Sequence, residues 1–365
     1  MTQAQFVESC VETVADSAKT VARQSRGRPA AKKLLRTLAG KKNILVTTHL
    51  HPDPDALASA MGMTLLLKSR LKDANVTLSV KGKLGGGINS RFAELSKLNL
   101  SPWPERALSK FDAIILLDTQ PPFAFSPLPP EIQPIAVVDH HRPYKRKPRC
   151  AFCDVRTDVG ATASIVFSYL MELDVPISPS LAASMLYAIE SDLAGAAGTP
   201  GELDNIALSN LTLLADTHIL YQMRYVALPE SYFQSFALGL QNAVYFEHAL
   251  ISHLQQIDSL EKPAILADAM LRFDKVDWVM VTAIHQGRLL VSLRTSDPQM
   301  TAADMIRRVL RTDGEGGGHL RKAGGAIQLE NGSPTEIERV RANIKRRFLR
   351  ALRIKQTRGT KLVTD

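Results

Sequence analysis

The stretch Ile44-Leu-Val-Thr-Thr48-His49-Leu-His51-Pro52-Asp53-Pro54-Asp55 decides how the chain is read. Its opening is an apolar, partly β-branched run of strand length. It then delivers two histidines and two carboxylates within seven residues, a dense set of potential metal ligands. Pro52 and Pro54 stiffen the turn and keep it out of helix, so the side chains can converge. Asp55 stands where a helix over Ala56–Leu71 begins, a position that suits a carboxylate with or without a metal. An N-cap and a surface turn account for Asp55 but leave His49 and Asp53 without a reason.

Outward from this stretch the same rhythm repeats. Val76–Val80, Ala113–Leu117 and Ile135–Val138 are short apolar strands, and helices are expected at 161–172, 179–190 and 203–217. Strands that are apolar almost throughout and alternate with helices indicate an α/β fold with a parallel sheet buried on both faces. Pro229 marks a break, and residues 231–257 read as helix. A smaller α/β unit follows, with strands at 277–285, 288–295 and 326–330 and helices at 301–311 and 336–354.

The apolar strands end in ionisable groups. Ala113–Leu117 runs into Asp118, Ile135–Val138 runs into Asp139-His140-His141, and Asp192 follows the helix at 179–190. In an open parallel sheet the carboxyl ends of the strands share one crevice, where ligands bind. Packing gives no reason for His and Asp at each of these ends, since each is costly to desolvate without a partner. A pair of divalent cations is the natural partner. The His/Asp mixture suits Mn²⁺, with Mg²⁺ or Co²⁺ as alternatives.

His49-x-x-Pro52-Asp53-x-Asp55-Ala56, Asp118, Asp139-His140-His141 and Asp192 together resemble the four motifs of the DHH phosphoesterase family. The second unit resembles the associated DHHA1 domain through Ser292-Leu-Arg294 and Gly316-Gly317-Gly318-His319. The resemblance spans about Asn43 to Leu329. One departure is local: many relatives carry Asp-Thr-Gly at the fourth motif, where this chain has Asp192-Leu-Ala-Gly195. The resemblance implies that His49 and Asp53 hold one metal, that Asp55, His140 and Asp192 hold a second, and that Asp118 bridges them. It also implies that Asp139 orients a histidine ring, while His141 donates to the phosphate or protonates the leaving oxygen. His51 is left as an outer-sphere group or a packed or solvated ring. Arg294 and the glycine loop Gly316, Gly317, Gly318 and His319 are expected to grip a terminal phosphate or base, in a cleft between the units.

The expected organisation is a basic helical extension over 1–42, a DHH catalytic domain over 43–228 and a helical linker over 229–262. A DHHA1-like substrate-binding domain over 263–353 and a basic tail over 354–365 complete it. Within the family the layout resembles the nanoRNase / pAp phosphatases, which implies a Mn²⁺-dependent hydrolase of short RNA and of pAp. Cyclic-di-AMP or linear dinucleotide phosphodiesterase is the alternative, inorganic pyrophosphatase a weaker one. A catalytically silent nucleotide- or RNA-binding scaffold is the non-enzyme reading.

Composition sets the outer bounds. The 365 residues carry a formal charge of +9, with 45% hydrophobic and 22% charged residues, which excludes a disordered or collagenous chain. No apolar run reaches the ~18 residues of a membrane span, and no apolar signal segment opens the chain, so a cytoplasmic protein without membrane contact is expected. The charge is uneven: net +6 over residues 1–42, net +7 over 336–365 and net −4 between. The basic ends point to a polyanionic partner such as a short RNA or nucleotide, or are simply solvated. Residues beyond Arg353 lack an apolar stripe and are expected to be mobile. A homodimer is left open. Cys150-Ala-Phe-Cys153 has too few ligands for structural zinc, and packed or idle thiols are favoured over a redox pair. Gly82–Gly87 matches a phosphate loop only loosely, and Trp103 and Trp278 are too few for a stacking platform.

Overall fold

The computed structural model describes residues 30–82, 84, 87–121, 123, 125–143, 148–193, 200–318, 320–356 and 358–364. These form two compact units, one reaching Val226 and one beginning at Ala227. His319 and residues 1–29 of the basic extension lie outside the described residues.

The first unit is built on a five-stranded, all-parallel sheet of β1 (Asn43–Thr47), β2 (Asn75–Leu78), β3 (Ala113–Leu117), β4 (Ala136–Asp139) and β5 (Phe152–Val155). Their order is β2-β1-β3-β4-β5. Each strand step from β1 to β2, or from β3 outward, places carboxyl ends side by side, and Leu116 of β3 lies opposite both Thr47 and Val137. Leu45, Ile115 and Val138 are wholly buried, worth roughly 1.5–3 kcal/mol per side chain. Helices α1 (Ala30–Thr37), α2 (Pro54–Arg70), α3 (Ile88–Leu95), α4 (Thr162–Glu172), α5 (Pro179–Leu193), α6 (Glu202–Leu214) and α7 (Thr217–Arg224) complete the unit. At Gly62 an added Cβ would lie 2.9 Å from Val166 Cγ1, so the glycine lets α2 approach α4 closely.

Two features go beyond the sequence reading. Helix α1, within the basic extension expected over 1–42, packs into the first unit: Ala31 and Leu34 are wholly buried in its core, and Glu172 accepts from the Ala31 and Lys32 amides at 2.9 and 3.1 Å. That carboxylate satisfies amides that have no partner inside the helix. Strand β5 was missed because Phe152-Cys-Asp-Val155 carries a carboxylate in a short run. Asp154 is nevertheless satisfied by buried Arg156 at 2.7 Å and by the Tyr169 hydroxyl at 2.6 Å. Cys150, just before β5, and Cys153, within it, are joined in a disulfide with their Cα atoms 5.8 Å apart, in place of the idle thiols expected.

The second unit is a seven-stranded mixed sheet with helices α8 (Glu230–Gln241), α9 (Lys262–Met270), α10 (Ala302–Leu310) and α11 (Pro334–Ala351). Its strands are β6 (Val244–Phe246), β7 (Ala249–Gln256), β8 (Trp278–His285), β9 (Arg288–Thr295), β10 (Glu315–Gly318), β11 (Lys322–Gln328) and β12 (Thr360–Lys361), in the order β10-β11-β9-β8-β7-β6-β12.

The helix expected over 231–257 ends at Gln241, and two strands follow. Residues 249–252 of β7 are all buried, and a short apolar run buried on both faces has no period that separates strand from helix. The C-terminal tail is also held. Thr360 and Lys361 pair with Tyr245 and Val244, and the Leu362 amide donates to Ala243 O at 2.9 Å. Edge-strand hydrogen bonding supplies the order that an apolar stripe would have supplied. The glycine cluster forms the edge strand β10, not a loop. A Cβ at Gly316 would meet Leu310 Cδ1 at 2.7 Å and one at Gly325 would crowd the same atom, so these glycines let α10 lie on the hairpin.

Among the described residues no helix is long and apolar enough to cross a membrane.

Candidate metal centre

The carboxyl ends of β1, β3 and β4 gather the ionisable residues of the first unit. Asp53 caps α2, accepting from the Ala56 amide at 3.1 Å, and Asp55 lies in the first turn of that helix. His49 Nε2 stands 3.9 Å from Asp53 Oδ1 and 3.5 Å from Asp118 Oδ2. His140 Nε2 stands 3.4 Å from Asp118 Oδ1, 3.3 Å from Asp192 Oδ2 and 3.9 Å from Asp55 Oδ2. Potential ligand atoms converge within 4.8 Å in three groups: His49, Asp53 and Asp118; Asp55, His140 and Asp192; and Asp118, His140 and His141. Asp118 belongs to two of them.

Both imidazoles that face the carboxylates are turned by backbone carbonyls. Leu50 O lies 2.8 Å from His49 Nδ1, and Val159 O lies 3.3 Å from His140 Nδ1. A proton on Nδ1 donates to each carbonyl, which leaves Nε2 as the ligating atom.

Four further features were not legible in sequence. Asp118 adopts a left-handed backbone, φ 56°, a conformation that costs an Asp about 1 kcal/mol or more and that swings its carboxylate between the two histidines. Asp55 is held by the start of α4: the Thr162 and Ala163 amides donate to its two oxygens at 2.7 and 2.8 Å. The Thr162 hydroxyl donates to Asp118 Oδ1 at 2.9 Å, which ties the two carboxylates to one helix end. Gln120, wholly buried, donates to Asp139 Oδ2 at 2.7 Å and to His141 O at 3.0 Å.

Asp139 is the hub of the last motif. Its Oδ1 accepts from the His140 and His141 amides and lies 2.7 Å from His141 Nδ1. That pairing orients the His141 ring and favours a proton on Nδ1. Phe123 and Phe125 flank the same ring, with centroids 5.9 and 6.1 Å away. His51 is exposed, with φ 55°.

The electrostatics divide the carboxylates. Burial and the neighbouring Asp118 and Asp192 carboxylates push the Asp55 carboxyl well above its ordinary range. Burial acts on Asp118 too, yet His140 and His49 outweigh it and hold that group well below the usual range. The histidines mirror this. Burial lowers His49 and His140, but Asp118, with Asp53 for His49 and Asp192 for His140, raises both well above the ordinary value. Four carboxylates packed together with imidazole nitrogens fit divalent cations, whose charge relieves the mutual repulsion.

In the second unit, Arg294 is buried and its guanidinium is engaged. Nε and Nη2 donate to Asp268 at 2.5 and 3.2 Å, and Nη1 donates to Ser292 Oγ and Leu293 O. Gly316, Gly317 and Gly318 pair with Gly325, Gly324 and Ala323 across the β10–β11 hairpin.

Comparisons with known proteins agree with this architecture. The chain is 28% identical over 306 residues, 83% of its length, to an "uncharacterized protein" of Methanocaldococcus jannaschii, of which it covers 62%. It is 27% identical over 179 residues, 48% of its length, to a "probable manganese-dependent inorganic pyrophosphatase" of Listeria innocua, of which it covers 56%. It thus spans about three fifths of these relatives' lengths. Among solved structures, an exopolyphosphatase-related protein from Bacteroides fragilis shares the fold with a TM-score of 0.67, at 16% identity, over 88% of this chain and 97% of that one. RecJ from Thermus thermophilus, in complex with Mn²⁺, gives 0.51 at 17% identity, over 87% of this chain and 54% of that one. Residues 43–189, which carry His49, Asp53, Asp55, Asp118 and Asp139-His140-His141, match the model of the DHH family, N-terminal domain.

Proposed function

We propose that the chain is a metal-dependent phosphoesterase that hydrolyses short oligoribonucleotides to mononucleotides and pAp to AMP. The observation that carries this reading is the convergence of three candidate ligand groups, linked in pairs through Asp118 and His140. His49 and Asp53 would hold one divalent cation, Asp55, His140 and Asp192 a second, with Asp118 common to both and Mn²⁺ the preferred ion. When bound, such a pair supplies a water of near-neutral pKa and neutralises the non-bridging oxygens of a phosphate.

The remaining work falls to the chain's own side chains. Asp139 holds the His141 ring through Nδ1, so that Nε2 can carry a proton to the leaving oxygen. Gln120 braces Asp139 from the other side. Asp55, fixed by two backbone amides, keeps its oxygens in place without reorganisation.

Phe123 and Phe125 favour a nucleotide over inorganic pyrophosphate. Two half-buried rings beside the proton-carrying histidine offer apolar surface to a base or sugar, and pyrophosphate has nothing to place there. Roles for Arg294, Gly316, Gly317, Gly318 and His319 in gripping the substrate's far end belong to the same proposal. So does a cytoplasmic setting.

A side-by-side assay with Mn²⁺ tests the reading, using RNAs of two to five nucleotides, pAp, cyclic-di-AMP and pyrophosphate. Fastest turnover is expected on the linear RNAs. Faster hydrolysis of the cyclic dinucleotide or of pyrophosphate would replace the substrate assignment. Binding without hydrolysis of any of them would make the chain a scaffold.

A further inference from the structure

The second unit, taken by itself, contains a cavity of about 350 Å³ lined by Arg308, Arg311, Arg347, Arg350, Ala351 and Arg353. Only one of its five guanidinium groups has a structural task. Arg347 donates to Val309 O and Leu310 O at 3.0 and 3.3 Å and pairs with Asp313 at 2.6 Å, which closes the end of α10 against α11. Arg308, Arg311, Arg350 and Arg353 are exposed. Among them Arg308 feels the Asp304 carboxylate one turn earlier on α10, which already pairs with Arg307 at 2.5 Å, and no ion pair holds the other three among the described residues.

Helix ends explain part of this. The C-terminal turns of α10 and α11 both border the cavity, and each attracts a cation with about 0.3–1 kcal/mol. One arginine per helix end satisfies that need, and Arg347 already serves α10. The remaining cations repel one another across a shared concavity.

The backbone supplies an independent observation. Arg311 and Arg353 both have left-handed backbones, φ 53° and 58°. Glycine or asparagine normally closes a helix in that conformation, since a side chain there is strained. Helix termination alone would favour glycine at both positions. The strain instead places two long cations at the rim of one cavity.

We propose that this cavity binds a compact di- or triphosphate chain, free or as the phosphate moiety of a nucleotide, through Arg308, Arg311, Arg350 and Arg353. The lining decides the ligand class. It holds neither aromatic ring nor carboxylate, so nothing in it stacks on a base or reads a base edge. Planar guanidinium forks match phosphate oxygens two at a time. Charges gathered in one concavity suit a ligand whose phosphates are adjacent. A single-stranded backbone carries one charge per nucleotide and needs an extended track. This site is independent of the metal centre and of the substrate proposed for it.

Calorimetric titration of the 365-residue chain tests the assignment, in chelator and in an Asp118→Asn background so that hydrolysis does not intervene. Tripolyphosphate, ATP, inorganic phosphate and a twelve-nucleotide RNA are the probes. Tripolyphosphate and ATP are expected to bind with similar affinity, and Arg308→Glu/Arg350→Glu to weaken both by about tenfold or more with an unchanged circular dichroism spectrum. Arg311→Gly and Arg353→Gly are expected to raise Tm while weakening tripolyphosphate. Unchanged tripolyphosphate affinity in the double variant overturns the proposal. So does ATP binding without tripolyphosphate binding, or an arginine-dependent affinity seen for the RNA alone.

Discussion

The two units treat histidine in opposite ways. In the first, His49 and His140 sit among carboxylates that hold the imidazoles well above their ordinary value despite burial. In the second, burial first and then Arg341 and Lys345 push His253 down to about 4, where its Nδ1 meets Thr282 Oγ1 at 2.7 Å. Both environments are low in solvent; they differ in the sign of the local field. The acid-rich middle and basic end of the sequence thus become two fields of opposite sign, one suited to cations and one to anions. The two sites also differ in cohesion. The metal centre is braced by amides, carbonyls and Thr162, whereas the arginine cavity stands open with most of its cations unpaired.

Replacing Asp118 breaks the first side of this contrast most severely. Asp118→Asn keeps the shape but removes the charge shared by two ligand groups, and hydrolysis is expected to fall on the order of 10³-fold or more. Unchanged turnover in a metal-loaded, folded variant would remove the metal centre from the mechanism.

Gln120→Ala sharpens the same side at a smaller scale. It leaves every proposed ligand in place and removes the brace on Asp139, so activity or metal affinity is expected to drop about 10- to 100-fold. An altered pH–rate profile would mark this as an effect through His141. A loss of Tm with kcat retained would make Gln120 a packing residue only.

His253 tests the second side. Its folded value of about 4 lies below the ordinary 6.5, so between those values the unfolded chain binds more protons. The neutral ring's contribution is complete above about pH 6.5 and is lost as pH falls towards 4. The cost is about 2 kcal/mol, discounted for the ring's partial exposure. Thermal melts of the wild type and His253→Asn at about pH 7 and about pH 4.5 should therefore converge at the lower pH. Parallel curves would show that the ring does not carry the slope.

The smallest expected effect comes from the tail. Deleting 354–365 removes the β12 pairing and the Leu362–Ala243 hydrogen bond, worth about 1–2 kcal/mol, or roughly 3–6 °C in Tm. No change in Tm would return the tail to the mobile segment that its composition suggests.

The cluster of histidines and carboxylates was largely readable before any coordinates because strands β1, β3 and β4 are mainly apolar and then run into His or Asp. Ionisable groups at such positions have no packing role, so their chemistry shows through the pattern. The residues that hold them were not readable. Gln120, Thr162 and Ala163 are ordinary in type and remote in sequence from the groups they fix, and the left-handed turn at Asp118 leaves no mark in an Asp-Thr dipeptide. In the second unit, β7 lacked a decisive period, and the glycine cluster suggested a loop where close packing of α10 demanded a strand.

By itself, then, the sequence pointed to the α/β class, the parallel sheet of apolar strands and the ionisable residues that gather at the strand ends, because hydrophobic period and misplaced charge are local properties of a chain. Tertiary structure decided which carboxylate is held ionised, which histidine nitrogen faces the cluster, and which arginines share a cavity. Those depend on distances between residues far apart in sequence, and electrostatic energy is set by such distances and by burial.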